Sequence, residues 1–153
     1  MKHEWRRGAY IISTDHGRLD FDRIHAFLTT SYWSPGISRD AVERAARHAL
    51  PFGLYYRPEE ELEQQVGYAR VLTDYVALAY LLDVFIIEAH RGQGLARWLM
   101  ETILAHPDLR EVANWQLKTR DAHGLYAKVG FVTPLDPQHF MHRSRPAAAV
   151  DQL

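Results

Sequence analysis

The stretch Asp83-Val-Phe-Ile-Ile-Glu-Ala-His-Arg-Gly-Gln-Gly-Leu-Ala96 joins the end of an apolar run to a glycine-containing turn and then to an amphipathic segment. Upstream, Val76 to Ile87 is interrupted only by Asp83, which predicts a central strand covered on both faces. Downstream, Leu95, Trp98, Leu99, Thr102 and Ile103 recur on one side of a helix that starts near Gly94 and stops at Pro107. Amides at such a helix start have no intrahelical acceptor, and the helix dipole adds partial positive charge. Glycines at 92 and 94 let a phosphate approach the backbone closely, so a pyrophosphate is the natural guest. A Walker loop would need Lys-Ser/Thr after Gly94, where Leu95 and Ala96 stand, and a dinucleotide fingerprint would need glycine in place of Arg97. Taken alone, the two glycines could equally do no more than shape a turn.

Working outward, Tyr10 to Ser13 is a short β-prone segment followed by a turn at Asp15-His16-Gly17. Ile24, Phe27 and Leu28 predict a first helix over about Asp20 to Ser31. Ser38 is placed to cap a second, with Ile37 and Val42 as a hydrophobic staple and Val42, Ala45, Ala46 and Ala49 on one face before Pro51. Strands are expected at Phe52 to Arg57, Gln65 to Leu72, Val76 to Ile87 and Val112 to Lys118, with turns over Pro58 to Glu63 and Thr73 to Tyr75. Asp121 is placed to cap a short helix carrying Ala122, Leu125, Tyr126 and Val129, with Gly130 at its C′ position. Phe131 to Thr133 and His139 to Arg143 are expected as closing strands, and the tail from residue 146 as flexible. Short turns make the middle strands antiparallel, while the strand-helix-strand unit from Val76 to Lys118 adds a parallel pair. The fold class is therefore α+β (mixed α/β): a single domain over residues 1–153, with a central, mostly antiparallel mixed sheet flanked by helices.

Composition sets outer bounds. At 153 residues with 47% hydrophobic and 24% charged, the chain suits one globular core. A formal net charge of −1 offers no electrostatic footprint for nucleic acid or an anionic membrane. Zero cysteines exclude disulfides, thiolate metal sites and a cysteine nucleophile. No apolar stretch follows the polar N-terminus as in a signal peptide, and Val76 to Ile87 is too short to span a bilayer, so a soluble cytoplasmic protein is expected.

Arg91-Gly-Gln-Gly-Leu-Ala96 matches the Arg/Gln-x-x-Gly-x-Gly/Ala signature of the GNAT N-acetyltransferase family, at that family's strand-to-helix junction. Ala122-His-Gly-Leu-Tyr-Ala-Lys-Val-Gly-Phe131 resembles the family's Ala-x-x-Leu-Tyr-x-x-x-Gly-Phe segment, in the same order and spacing. The resemblance covers the domain in element order and is residue-specific from about Asp83 to Phe131; Glu88 departs from it, standing where the family often has proline. The resemblance implies transfer of an acetyl group from acetyl-CoA to a primary amine of a small molecule or peptide. It also implies that backbone at Val84, Phe85 and Ile86 pairs with the pantetheine arm, and that amides of Gly92, Gln93, Gly94, Leu95, Ala96 and Arg97 hold the pyrophosphate, with charge added by Arg91 and Arg97. Thr119 stands where relatives place a pantetheine-binding asparagine. A homodimer is common in the family.

Tyr126 falls on the family tyrosine that approaches the thioester sulfur, and a phenol with pKa near ~10 can donate a proton to a departing thiolate. Leu125 and Val129 alongside it allow a plain core role as well. Asp83 inside the apolar run is the candidate base, or a carboxylate satisfied by amides or an arginine; Asp74, at the preceding turn, is the exposed alternative, and a water relay a third. Tyr32 and Trp33 lie where the family builds its acceptor pocket, either as a wall able to bind a cation or as a lid packed on the core. The nine histidines form no ligand set, with His139 and His142 alone on one segment, so no metal is expected. A non-catalytic acyl-CoA-binding sensor or interaction module is the alternative function.

Overall fold

The computed structural model describes residues 1–59 and 62–145, so the tail expected to be flexible lies outside the described residues. The order is β1 (Glu4–Arg7), β2 (Tyr10–Ser13), α1 (Phe21–Leu28), α2 (Arg39–Arg47), β3 (Leu50–Tyr56), β4 (Gln64–Thr73), β5 (Leu78–Ile86), α3 (Leu95–Leu104), β6 (Asn114–Gln116) and α4 (His123–Ala127). The strands form one sheet in sequence order, antiparallel throughout except where β6 joins β5 in parallel. Short connections permit the antiparallel pairs, and the crossover through α3 forces the parallel one. This is the α+β domain expected, with a mixed, mostly antiparallel sheet.

Local chemistry explains the element ends. Asp20 caps α1 by accepting from the Arg23 amide at 3.2 Å, and Ser38 caps α2 through the Ala41 amide at 3.1 Å. Gly130 ends α4 at φ 98°, where the Phe131 amide returns to the Tyr126 carbonyl at 3.1 Å. Asp121 does not cap α4: its carboxylate meets Arg120, and the Ala122 amide is taken by the Thr119 hydroxyl at 3.0 Å.

Two sequence expectations need correction. β1 reads as polar N-terminal chain, yet it pairs with β2 across a turn at Gly8. It is a charged edge strand in which Trp5 alone reaches the core, near Phe52. The closing strands at Phe131–Thr133 and His139–Arg143 do not form; residues 137–139 make a 3-10 turn, and their surroundings have no regular structure and are mostly exposed. Pro134 and Pro137 remove two ladder donors from a segment too short to spare them.

The sheet separates two apolar clusters. One, with α3 and α4, includes Phe52, Leu54, Ala69, Val71, Ala79, Leu81, Ile86, Leu99 and Tyr126. The other, with α1 and α2, holds Ile24, Leu28, Val42, Ala46, Tyr68 and Phe85. Along β5 the residue parity changes: Ala79 and Leu81 face α3, but so does Ile86, while Phe85 turns to α1. The cause is a bulge. Arg70 pairs with Leu82 and Tyr68 with Phe85, so β5 spends two residues, Asp83 and Val84, against the single Ala69 of β4. Asp83 takes the extra turn at φ 55°.

His106 is buried beyond the end of α3. Its Nδ1 accepts from the Asp108 amide at 3.0 Å, its Nε2 has no partner, and its ring meets that of His3 edge-on at 4.6 Å. Burial, helped by the facing His3, pushes its pKa below the ordinary histidine value. The unfolded chain therefore binds more protons below pH ~6.5; stability present above that value is lost as pH falls through it toward the lower folded pKa. Urea unfolding should show wild type losing stability between pH 7.5 and 5.5, and His106→Asn losing less over the same interval. Equal losses in the two proteins would remove His106 as the source.

Candidate functional site

β6 pairs with β5 only at Leu78, Ala79 and Tyr80, and the two strands then part. Leu81 to Ile86 continue with β4 on one edge and, among the described residues, no strand on the other. An unpaired strand edge inside a domain is an invitation to an extended ligand, because its amides and carbonyls still need partners. The bulge at Asp83 lies within this edge and tilts the chain locally.

Beyond β5 a 3-10 turn over Glu88–His90 leads to the glycine loop. Gly92 and Gly94 have φ of 81° and 77°, and a Cβ built on either would meet nothing within 4 Å. Glycine is required here by backbone conformation, and the space above it is open. Gly94 is the N-cap of α3 and supplies no side-chain oxygen, so the first-turn amides at Leu95, Ala96 and Arg97 lack a side-chain cap. A cavity of about 390 Å³ opens on this turn, bounded by Ile86, Arg91, Gly92, Gly94, Leu95, Ala96 and Arg97. His90, Leu125 and Lys128 complete its wall.

The loop is braced from behind. The Tyr10 hydroxyl of β2 bonds His90 Nδ1 at 2.8 Å, and Gln93 Nε2 donates back to the His90 carbonyl at 3.3 Å. The Arg91 side chain is drawn to the strand end, where Nε donates to the Ile86 carbonyl at 2.8 Å. Arg97 pairs with Glu101 one turn on. Both arginines stay at the cavity wall, and Lys128 adds a third cation there.

On the other side of the sheet the loop between α1 and α2 comes down on β5. Trp33 Nε1 donates to Asp83 Oδ1 at 3.0 Å, and Arg70 Nε of β4 donates to Asp83 Oδ2 at 2.5 Å. Asp83 is therefore satisfied by an arginine and an indole, and each of its oxygens keeps a second lone pair. Next to it the Tyr32 hydroxyl accepts from the Arg120 amide at 3.1 Å, and the Arg120 guanidinium lies 3.8 Å from the Tyr32 ring centre. The α1–α2 loop thus touches the bulged strand with Trp33 and the β6–α4 loop with Tyr32, spanning the parting of β5 and β6.

Tyr126 projects from α4 into the same region. Burial pushes its phenol up to about 12, with Tyr32 adding in the same direction, so it keeps its proton across the neutral range. Val84 packs against the α3 cluster, while Phe85 stacks on Phe27 of α1 at 4.0 Å. Asp74 is not brought to this group. Its Oδ1 accepts the amides of Val76, Ala77 and Leu78, with Val76 first among the contacts that hold its carboxyl below the usual range, at the far end of β5 from the loop. Lys128, His90, Arg70 and Arg120 escape a sequence reading. Lys128 lies inside the Ala122–Phe131 motif and His90 directly before Arg91, but no local signal aims them at a cavity.

The sequence profile of the acetyltransferase (GNAT) domain family matches residues 52–133. A curated protein of Gibberella zeae, provisionally named an acetyltransferase, is 34% identical over 143 residues, covering 81% of this chain and 79% of that protein. A crystal structure from Xanthomonas campestris pv. campestris, provisionally described as an acetyltransferase of the GNAT family, superimposes with a TM-score of 0.82 at 43% identity, covering 90% of this chain and 94% of that one. A similarly described structure from Deinococcus radiodurans gives a TM-score of 0.68 at 17% identity, covering 94% of each chain, which speaks to the fold alone.

The Arg70–Asp83 pair is largely buried, with side chains 15% and 7% exposed. Removing one member of such a pair leaves a poorly compensated charge, so Arg70→Met should lower the unfolding free energy by about 3–5 kcal/mol. Adding Asp83→Asn to that variant should restore much of the loss. Single and double variants that unfold at the same urea concentration would show that the pair does not hold the bulge.

Proposed function

Because this chain belongs to the GNAT acetyltransferase family, we propose that it transfers the acetyl group of acetyl-CoA to a primary amine by direct attack on the thioester. The observation that carries the reading is the parting of β5 from β6, which leaves one edge of Leu81–Ile86 without a partner strand among the described residues, immediately before a glycine loop and an uncapped helix start. An extended arm and a diphosphate fit these two features in that order. The open space over Gly92 and Gly94 and the cations at Arg91, Arg97 and Lys128 suit the anionic end.

Bound there, the thioester supplies an electrophilic carbonyl and a thiolate leaving group. The β5 edge at Val84, Phe85 and Ile86 holds the extended arm, and one amide of that edge faces the developing oxyanion. The Thr119 hydroxyl, already accepting from the Ala122 amide, keeps its own proton to donate to the same arm. Tyr126 donates its O–H to the sulfur as the carbon–sulfur bond breaks; burial keeps the phenol protonated when the sulfur arrives, while making it a weaker acid than an exposed tyrosine. The amine arrives as an ammonium and must lose protons before and during attack. Asp83, with lone pairs to spare, accepts a hydrogen bond from it, and the proton passes on to water. Tyr32 and Trp33 form the aromatic wall beside this point.

Thiol release from acetyl-CoA over a panel of amines tests the reading; saturable CoA binding with no release from any amine would favour a non-catalytic acyl-CoA sensor. Tyr126→Phe should lower kcat about 10- to 100-fold or more with a smaller effect on CoA affinity, as loss of a general acid requires. An unchanged kcat would take Tyr126 out of the mechanism. Gly94→Glu should abolish calorimetric CoA binding, since its carboxylate would stand in the open space meant for phosphate, and intact affinity would contradict the assignment of the loop.

A further inference from the structure

A second groove lies between α2 and β4 and takes no part in holding the coenzyme. Its volume is about 320 Å³, and it is lined by Ala41, Arg44, Ala45, His48, Arg70 and Leu72. Two alanines on α2 leave room along the helix, and Leu72 gives an apolar floor. The polar lining is two arginines and a histidine. Arg44 stands in the last turn of α2 and His48 at its C-cap. No lining residue is acidic; Glu43 is paired with Arg39 and Asp83 with the lining Arg70 and with Trp33, while Asp40 stands beside the lining Ala41 in the first turn of α2.

Arg70 joins this groove to the reaction site. Its Nε is committed to Asp83, so the two Nη nitrogens are the donors left to the groove. A guanidinium fork of this kind matches a carboxylate or phosphate. The β4–β5 ladder sets the distance. Arg70 lies opposite Leu82 and Tyr68 opposite Phe85, so Arg70 is two residues along β4 from the level of Phe85, the middle of the segment assigned to the coenzyme arm. That separation is ~7 Å along the strand, roughly five or six bonds of an extended chain.

We propose that the acceptor is an amine that also carries a carboxylate or phosphate, held in the α2–β4 groove by Arg70, Arg44 and His48 while the amine reaches past Asp83 to the thioester. The proposal rests on the acetyltransferase reading and adds the acceptor's chemical class. The small alanines and Leu72 accommodate the methylenes between the two ends.

Two measurements test it. The first titrates coenzyme-free protein at constant ionic strength and pH with 6-aminohexanoate, inorganic phosphate and 6-aminohexanamide, which keeps the ammonium but lacks the carboxylate, following the His48 ring resonances. The carboxylate-bearing amine and phosphate should shift them saturably and the amide should not. In Arg44→Gln, a change at an exposed helix position, anion affinity should fall about tenfold or more, the scale of one lost charge-assisted hydrogen bond. The second compares kcat/KM for 6-aminohexanoate, an aminoalkyl phosphate of similar length and 6-aminohexanamide. The anionic amines should be preferred by about tenfold or more, and the preference should shrink in Arg44→Gln. Absence of a saturable shift with either anionic group, or 6-aminohexanamide used as well as the amines that carry a carboxylate or phosphate, overturns the proposal. Turnover without anion preference removes this inference alone, whereas no thiol release from any amine removes the transferase reading with it.

Discussion

The site depends on one extra residue in a central strand. Against the single Ala69 of β4, β5 places Asp83 and Val84, and Asp83 takes up the difference in a left-handed conformation that costs about 1 kcal/mol or more for a residue with a Cβ. Aspartate tolerates it better than most residues, and here its carboxylate is gripped from two sides, by Arg70 of β4 and by Trp33 of the α1–α2 loop. The consequence runs down the strand. Phe85 turns to the α1 side and Ile86 to the α3 side, so each apolar residue after the bulge still finds a core. An unbulged β5 would send both to the wrong face.

The same device links the α1–α2 loop to the strand edge that leads into the glycine loop. Trp33 reads the position of the bulge directly, and Tyr32 from the same loop closes on Arg120 across the parting of β5 and β6. The glycine loop is set independently, by Tyr10 and His90 behind it and by Arg91 tied to the end of β5. Tyr126, the β5 edge and the glycine loop are thus positioned by short, specific contacts between neighbouring elements. In the proposed reaction, rigid placement of this kind would let a phenol and a strand edge act on one bond.

Much of this is written locally in the sequence. Gly92 and Gly94 announce a backbone conformation that only glycine adopts freely, and the uncapped start of α3 follows from having glycine where a serine or aspartate would otherwise stand. Ser38, Asp20 and Gly130 declare their helix ends because capping involves residues a few positions apart. What the sequence hides is pairing over distance. β1 is charged and reaches the core through Trp5 alone, so it shows no apolar period until β2 lies beside it. The run Val76–Ile87 reads as evenly apolar because the bulge swaps the faces midway, which no window average detects. Thr119 rather than Asp121 takes the α4 amide, a choice decided by how the chain enters the helix. Motif spacing picks out Tyr126 and the loop, but not Lys128 or Arg70, whose relevance comes from elements packed across from them.

The account stands on coenzyme A binding along the β5 edge and over the glycine loop. The most direct measurement is an amide ¹H–¹⁵N correlation spectrum recorded during a titration with coenzyme A. The account predicts saturable shifts centred on Val84–Ile86 and on Gly92–Arg97, with β1 and β2 little affected beyond Tyr10. A spectrum that does not change, or one whose changes gather elsewhere on the sheet, would contradict it.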